Sequence, residues 1–168
     1  ATNTGAGYAE GLAQSDDTKY GGTANDDNSG VITYLRLAYA GGINADAEDE
    51  WKVDKVSGLV MASVGSGTTV NHVMVSHSGD DGYQFVGGTV NATHLIAFNN
   101  GDDDFDFDLG YTGKLQFLIA YRTKLNSMHA LRANGFESYN DEVPTLNAPL
   151  TRPVVSNMTI IGPSGMKT

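Results

Sequence analysis

A chain of 168 residues is long enough to form one domain around its own core. It contains no cysteine, which excludes a disulfide framework, a thiolate metal site and a cysteine nucleophile. Twenty acidic residues against ten basic ones give a formal charge of −10, which sets nucleic acid and anionic lipid aside as partners and favours cations. No apolar run reaches the roughly 18 residues of a membrane span, so membrane insertion is not expected. Ala1–Gly11 lacks the basic and apolar regions of a signal peptide.

Amphipathic helical windows are hard to find before Thr123, and glycine far outnumbers proline, so the chain reads as β. In chain order, Val31–Ala40 and Ser57–Val64 form a first pair of strands separated by an acidic insertion at 41–56. Val70–Ser78, Ala92–Asn100 and Lys114–Arg122 then share alternating apolar residues and begin about 22 residues apart. Between and after them come Asp81–Gly88, Asp104–Tyr111 and, beyond an insertion at 123–133, Asn134–Asp141. After another insertion at 142–152, Val154–Gly162 repeats the first type of strand. Stepping by one coil aligns Tyr83, Phe105 and Phe136 on one strand face and Gln84, Asp106 and Glu137 on the other.

One such coil cannot bury its apolar side chains alone, whereas stacked coils can. The expectation is therefore an all-β, right-handed parallel β-helix of about four coils in a single domain over 1–168, with a hairpin-linked β-sandwich as the rival. Turns at 65–67, 78–81 and 100–103 place glycine where it permits positive φ and Asn or Asp where it can bond the backbone.

The segments YGGTANDDNSGVITYLRLAYAG (20–41), 64–122, NGFESYNDE (134–142) and PVVSNMTIIGP (153–163) resemble bacterial secreted or lipid-anchored proteins of the Bacteroidetes and marine gammaproteobacterial type. The resemblance implies a pectate-lyase-like right-handed parallel β-helix at the cell surface or outside the cell, and no particular reaction. It further implies that 1–168 is part of a longer solenoid, whose open coil ends would contact other copies or further coils.

Asp80, Asp81, Asp102, Asp103 and Asp104 fall on equivalent turns, and like charges brought together need a cation or raised pKa values. Oxygen-only ligands favour Ca2+. Asp104, Asp106 and Asp108 alternate with Phe105, Phe107 and Leu109, so the carboxylates are expected outside and the apolar side chains inside. Gln84, Asp106, Asp108 and Glu137, with Tyr111, Tyr121 and Tyr139 as exposed rings, make a candidate glycan-binding wall, against the plain alternative of a solvated face.

Catalysis has little signal. Asp80–Asp81 resembles the aspartate pair of polygalacturonases, but that family's Asn-Thr-Asp, Gly-His-Gly and Arg-Ile-Lys are missing. Lys114, Arg122, Lys124 and Arg132 are candidate bases for a lyase. His72, His77, His94 and His129 show no metal spacing, with His72 and His94 in related but not identical places in successive coils. No serine-hydrolase elbow or phosphate loop occurs. The expected function is a non-catalytic extracellular structural, adhesive or glycan-binding β-helix that meets polysaccharide or copies of itself. The alternative is a calcium-dependent polysaccharide lyase or another carbohydrate-active enzyme.

Overall fold

The computed structural model describes residues 2, 4–43, 55–124, 133–141, 143 and 145–163. In chain order its first strands are β1 (Ala6–Tyr8), β2 (Lys19–Gly21), β3 (Val31–Ala38), β4 (Gly42–Ile43), β5 (Lys55–Val56) and β6 (Leu59–Ala62). There follow β7 (Thr69–Ser76), β8 (Tyr83–Val86), β9 (Asn91–Phe98), β10 (Phe105–Asp108), β11 (Lys114–Tyr121), β12 (Glu137–Ser138) and β13 (Val154–Ile161). The long strands pair in parallel in the order β13-β11-β9-β7-β3, and the short ones in the order β12-β10-β8-β6. Each short strand feeds the next long one, so four short–long coils stack above β3, as the repeat predicts. Tyr83 pairs with Phe105, and Gln84 with Asp106 and then Glu137, which is the register read from the sequence.

The core is a set of ladders that climb from coil to coil. Tyr83 stacks on Phe105 at 5.0 Å and Phe85 on Phe107 at 5.4 Å, while Val73, Leu95 and Leu118 line up beneath the long strands. Burying one such side chain contributes about 1.5–3 kcal/mol, and stacking lets every coil use the same positions. The Tyr83 hydroxyl donates to the Val73 carbonyl at 2.8 Å and the Ile96 carbonyl at 3.0 Å, which reconciles a phenol with the interior.

The long strands do not alternate strictly. Val70, Val73 and Val75 point inward, leaving Asn71 and His72 consecutively outward. His72 is left-handed, at φ 53°, and so are Tyr34, His94, Phe117 and Asn157 at the same register in the other long strands. Each long strand is therefore two short strands joined at a corner, and the left-handed residue turns its side chain out. Two more corner columns follow the strand ends, one at Tyr39, His77 and Asn99 and one at Ser63, Gly87 and Leu109. His72 and His94 thus hold equivalent places, stacked at 4.3 Å within a ring column from Tyr34 to Phe117.

Turn glycines serve a purpose other than the one expected. Gly79 and Gly101 are not in the left-handed region; a Cβ on Gly101 would collide with the Gly79 carbonyl in the turn below. Stacked turns at 78–81 and 100–103 lie backbone on backbone, and only glycine allows that approach.

Candidate functional site

The short-strand sheet carries aromatic residues inside and polar ones outside. On β10 Phe105 and Phe107 fill the core while Asp106 and Asp108 point away from it. Leu109 does not continue the inward set, because it is the left-handed corner residue and turns outward. The outward carboxylates are nevertheless not solvated: Gln84, Asp106 and Asp108 are each only 3% exposed. The amino-terminal segment covers Gln84 and Asp108. Glu10 accepts a hydrogen bond from Gln84 Nε2 at 2.8 Å, and the β1–β2 hairpin brings Tyr8 and Tyr20 alongside. At Gln84, Asp106 and Asp108 both the open glycan-binding wall and the solvated face are therefore corrected to a covered polar face, while Glu137 stays exposed. Strand alternation sets which way a side chain points, and a segment far off in sequence decides whether water reaches it.

Between that cover and the sheet lies a pocket of about 310 Å3, lined by Tyr8, Glu10, Tyr20, Gln84, Asp108, Leu109, Tyr139 and Asp141 among others. None of its three tyrosines stacks on another ring among the described residues. Gln84 Nε2 is bonded, but its buried Oε1 has no donor. Burial, with the nearby Asp108 and Glu10 charges, raises the Tyr20 hydroxyl's pKa, and burial with Asp108 and Asp106 does the same for Tyr139, so both remain donors at neutral pH.

The remaining predicted glycan residues separate. Tyr111 is not an exposed ring: it is fully buried, stacks near Phe85 and Phe107, and its hydroxyl donates to the Val90 carbonyl at 2.7 Å. It follows a left-handed Leu109–Gly110 corner that sends the chain back inward. Tyr121 is exposed, but it belongs to the long-strand sheet and leans on Phe98. Glu137 extends the row from Gln84 and Asp106.

The five turn aspartates do not converge on one point. Asp80, Asp81 and Asp102 offer oxygens within 4.8 Å of one another, and Lys55 sits against them, 3.0 Å from Asp102 and 3.6 Å from Asp80. Ser57 donates to Asp81 at 3.1 Å, and the Asp103 amide donates to the same carboxylate at 2.9 Å. Asp104 stands apart in a buried pair with Arg122 at 2.8 Å. The same guanidinium also bonds the carbonyls of Asn100, Asp102 and Asn134, clamping the turn to the start of the next coil. Arg122 is thus a structural cation rather than a free base. Lys114 and Lys124 are exposed, and Arg132 and His129 lie outside the described residues.

Asp103 instead joins Asp106 and Glu137, again within 4.8 Å, with no ion pair among the described residues. Asp106 Oδ1 has no hydrogen-bond partner. Burial and the hydrogen-bonding Glu137 carboxyl beside it push Asp103 up to about 9; burial and the neighbouring Asp108 push Asp106 up to about 10. Burial also lifts Asp108 to about 7 and, against the pull of Lys55, Asp80 to about 6. Burial raises Asp81 well above the usual carboxylate range, with Asp80 adding to it. As a set of hard oxygen donors without a built-in cation, the second triad suits calcium. The first already holds an ammonium where an ion would sit.

Sequence reasoning missed Lys55, Tyr8, Glu10 and Tyr20, none of which belongs to the repeat, and Asp141, which ends its last short-strand segment. The ring column did leave a signal: TYL, NHV, THL, QFL and SNM each put a polar residue, the corner residue and an inward aliphatic in order.

Stacked parallel strands turning through three corner columns define a parallel β-helix. The chain belongs to the pectate-lyase-like β-helix domain family, whose model matches residues 1–168, and the family ties it to a carbohydrate-related role. No curated protein and no solved structure matches it significantly.

Proposed function

We propose that this protein is a non-catalytic, extracellular carbohydrate-binding β-helix that holds its glycan in the pocket between the β1–β2 hairpin and the short-strand sheet. The observation that carries this reading is the pocket's composition: three unstacked tyrosines beside a buried amide oxygen that lacks a donor. Tyrosine rings pack against the apolar faces of sugars, and fixed amide and carboxylate groups sort their hydroxyls. The larger groove of about 470 Å3 on the long-strand sheet is less suited, because its lining is mainly apolar and its rings stack on one another at 4.3–4.9 Å.

The non-catalytic part is supported by the state of the basic residues. A lyase base must be able to give up its proton near neutral pH. Lys55 is held protonated, its pKa raised by Asp102 and Asp80 in spite of partial burial, and Arg122 is locked into the turn. Calorimetric titration with neutral and charged oligosaccharides tests the reading. Binding is expected with wild type and its loss with Tyr139→Ala; no binding of any glycan, or undiminished binding by the variant, overturns it.

Calcium belongs to the same proposal, placed at Asp103, Asp106 and Glu137 instead of at the full set of turn aspartates. The orphaned Asp106 Oδ1 favours it. Calcium should raise the melting temperature of wild type and leave Asp106→Asn unmoved; equal responses would remove the site. Self-association is carried by a separate observation, since the outer strands β3 and β13 expose Val31, Val154 and Ile160. Light scattering with and without calcium tests it, and a monomer under both conditions rules it out.

A further inference from the structure

We infer that the glycan of this pocket carries free amino groups, as an unacetylated hexosamine chain does, and not the carboxylates of a uronate chain. The inference rests on the carbohydrate-binding reading above and names its substrate class.

Glu10, Asp108 and Asp141 line the pocket, and among the described residues no lysine, arginine or histidine does. Gln84, 3% exposed, lines this space, and its buried Oε1 has no donor; its amide nitrogen is already used by Glu10 and, at 3.4 Å, by Asp108. The buried unmet atoms of its lining, Gln84 Oε1 and Asp108 Oδ1, are both acceptors. An ammonium offers three donors and no acceptor, so it satisfies both at once and offsets the carboxylate charge. Tyr8, Tyr20 and Tyr139 add ring faces that attract a cation. A uronate brings acceptors and negative charge, both of which the pocket already has in excess. It could enter only beneath a bridging cation.

Gly7 makes room for one of these rings: a Cβ there would strike the Tyr20 side chain, so the glycine lets it lie across β1.

Short oligomers of glucosamine, N-acetylglucosamine and galacturonate would be titrated into the protein by calorimetry near pH 7 in chelator, and again in calcium. The glucosamine oligomer is expected to bind about tenfold tighter than its acetylated counterpart, the worth of one charge-assisted contact. Glu10→Gln, an exposed change whose folding is checked by its melting curve, should shrink that ratio. Equal affinity for acetylated and free amines would overturn the inference and leave the carbohydrate reading intact. Galacturonate binding that requires calcium would also overturn it, by showing the carboxylates to be metal ligands. Binding of none of the three would remove both.

Discussion

The two sheets of this coil have the same kind of interior and opposite exteriors. Outside the long strands, the ring column from Tyr34 to Phe117 and the exposed Ile96 and Ile119 face solvent along an open apolar groove. Outside the short strands, Gln84 and Asp108 lie beneath a segment from the start of the chain, and Asp106 beside them is as deeply buried. Apolar groups thus stand in water while carboxylates are buried, the reverse of the usual distribution. The exposed rings have one another for partners, whereas buried Asp106 and Asp108 each keep a carboxyl oxygen without a donor, and unmet polar groups under cover are what a ligand can relieve.

The comparison can be tested from its strongest contrast to its weakest. Arg122→Met leaves Asp104 and three carbonyls without their donor, and chemical denaturation should show a loss of about 3–5 kcal/mol. Lys55→Met removes a partly exposed ammonium, so its cost should stay near 1 kcal/mol or below. Comparable losses would mean that the two acidic clusters are not differently balanced. Leu95→Ala, inside the middle coil, should cost about 2–5 kcal/mol. Its neighbour Ile96→Ala, on the open face, should change stability by no more than about 1 kcal/mol.

Stability should also run against pH in an unusual direction. Asp80, Asp108, Asp103 and Asp106, lifted to about 6, 7, 9 and 10, bind protons more tightly when folded than when unfolded. Their contribution is complete below the unfolded value of 3.8 and is lost as pH rises through the folded values. Without calcium the melting temperature should therefore fall as pH rises from about 5 to about 9. Asp106→Asn should flatten the profile. A melting temperature that rises with pH would show that the wall is solvated after all. A small effect is also expected from Tyr83→Phe, which deletes a phenol bonded to two carbonyls and should cost about 1 kcal/mol.

Much of the fold is legible in the sequence because a solenoid repeats its own constraints. The pairs Tyr83–Phe105 and Gln84–Asp106 follow from spacing alone, and β13 is recognisable from VVSNMTII. Strict alternation fails at His72 and Leu109, where a left-handed residue inserts a corner that a period of two cannot represent. Tyr111 is misplaced for the same reason: the turn before it sends the ring inward. The site is less legible than the fold, since it depends on what the coils do not repeat. Lys55 reaches Asp80 and Asp102 from the strand that ends the first insertion, and Glu10 and Tyr20 arrive from outside the solenoid. Equal turn sequences predict five equivalent aspartates, but their surroundings divide them among Lys55, Arg122 and Glu137.

The most direct test of the central claim is to map, by NMR, which side chains respond to a glucosamine oligomer. The account predicts that the Gln84 side-chain amide and the rings of Tyr8, Tyr20 and Tyr139 shift while His72, His94 and Phe117 stay in place. Shifts confined to that ring column, with Gln84 unmoved, would contradict it and move the binding face to the other sheet.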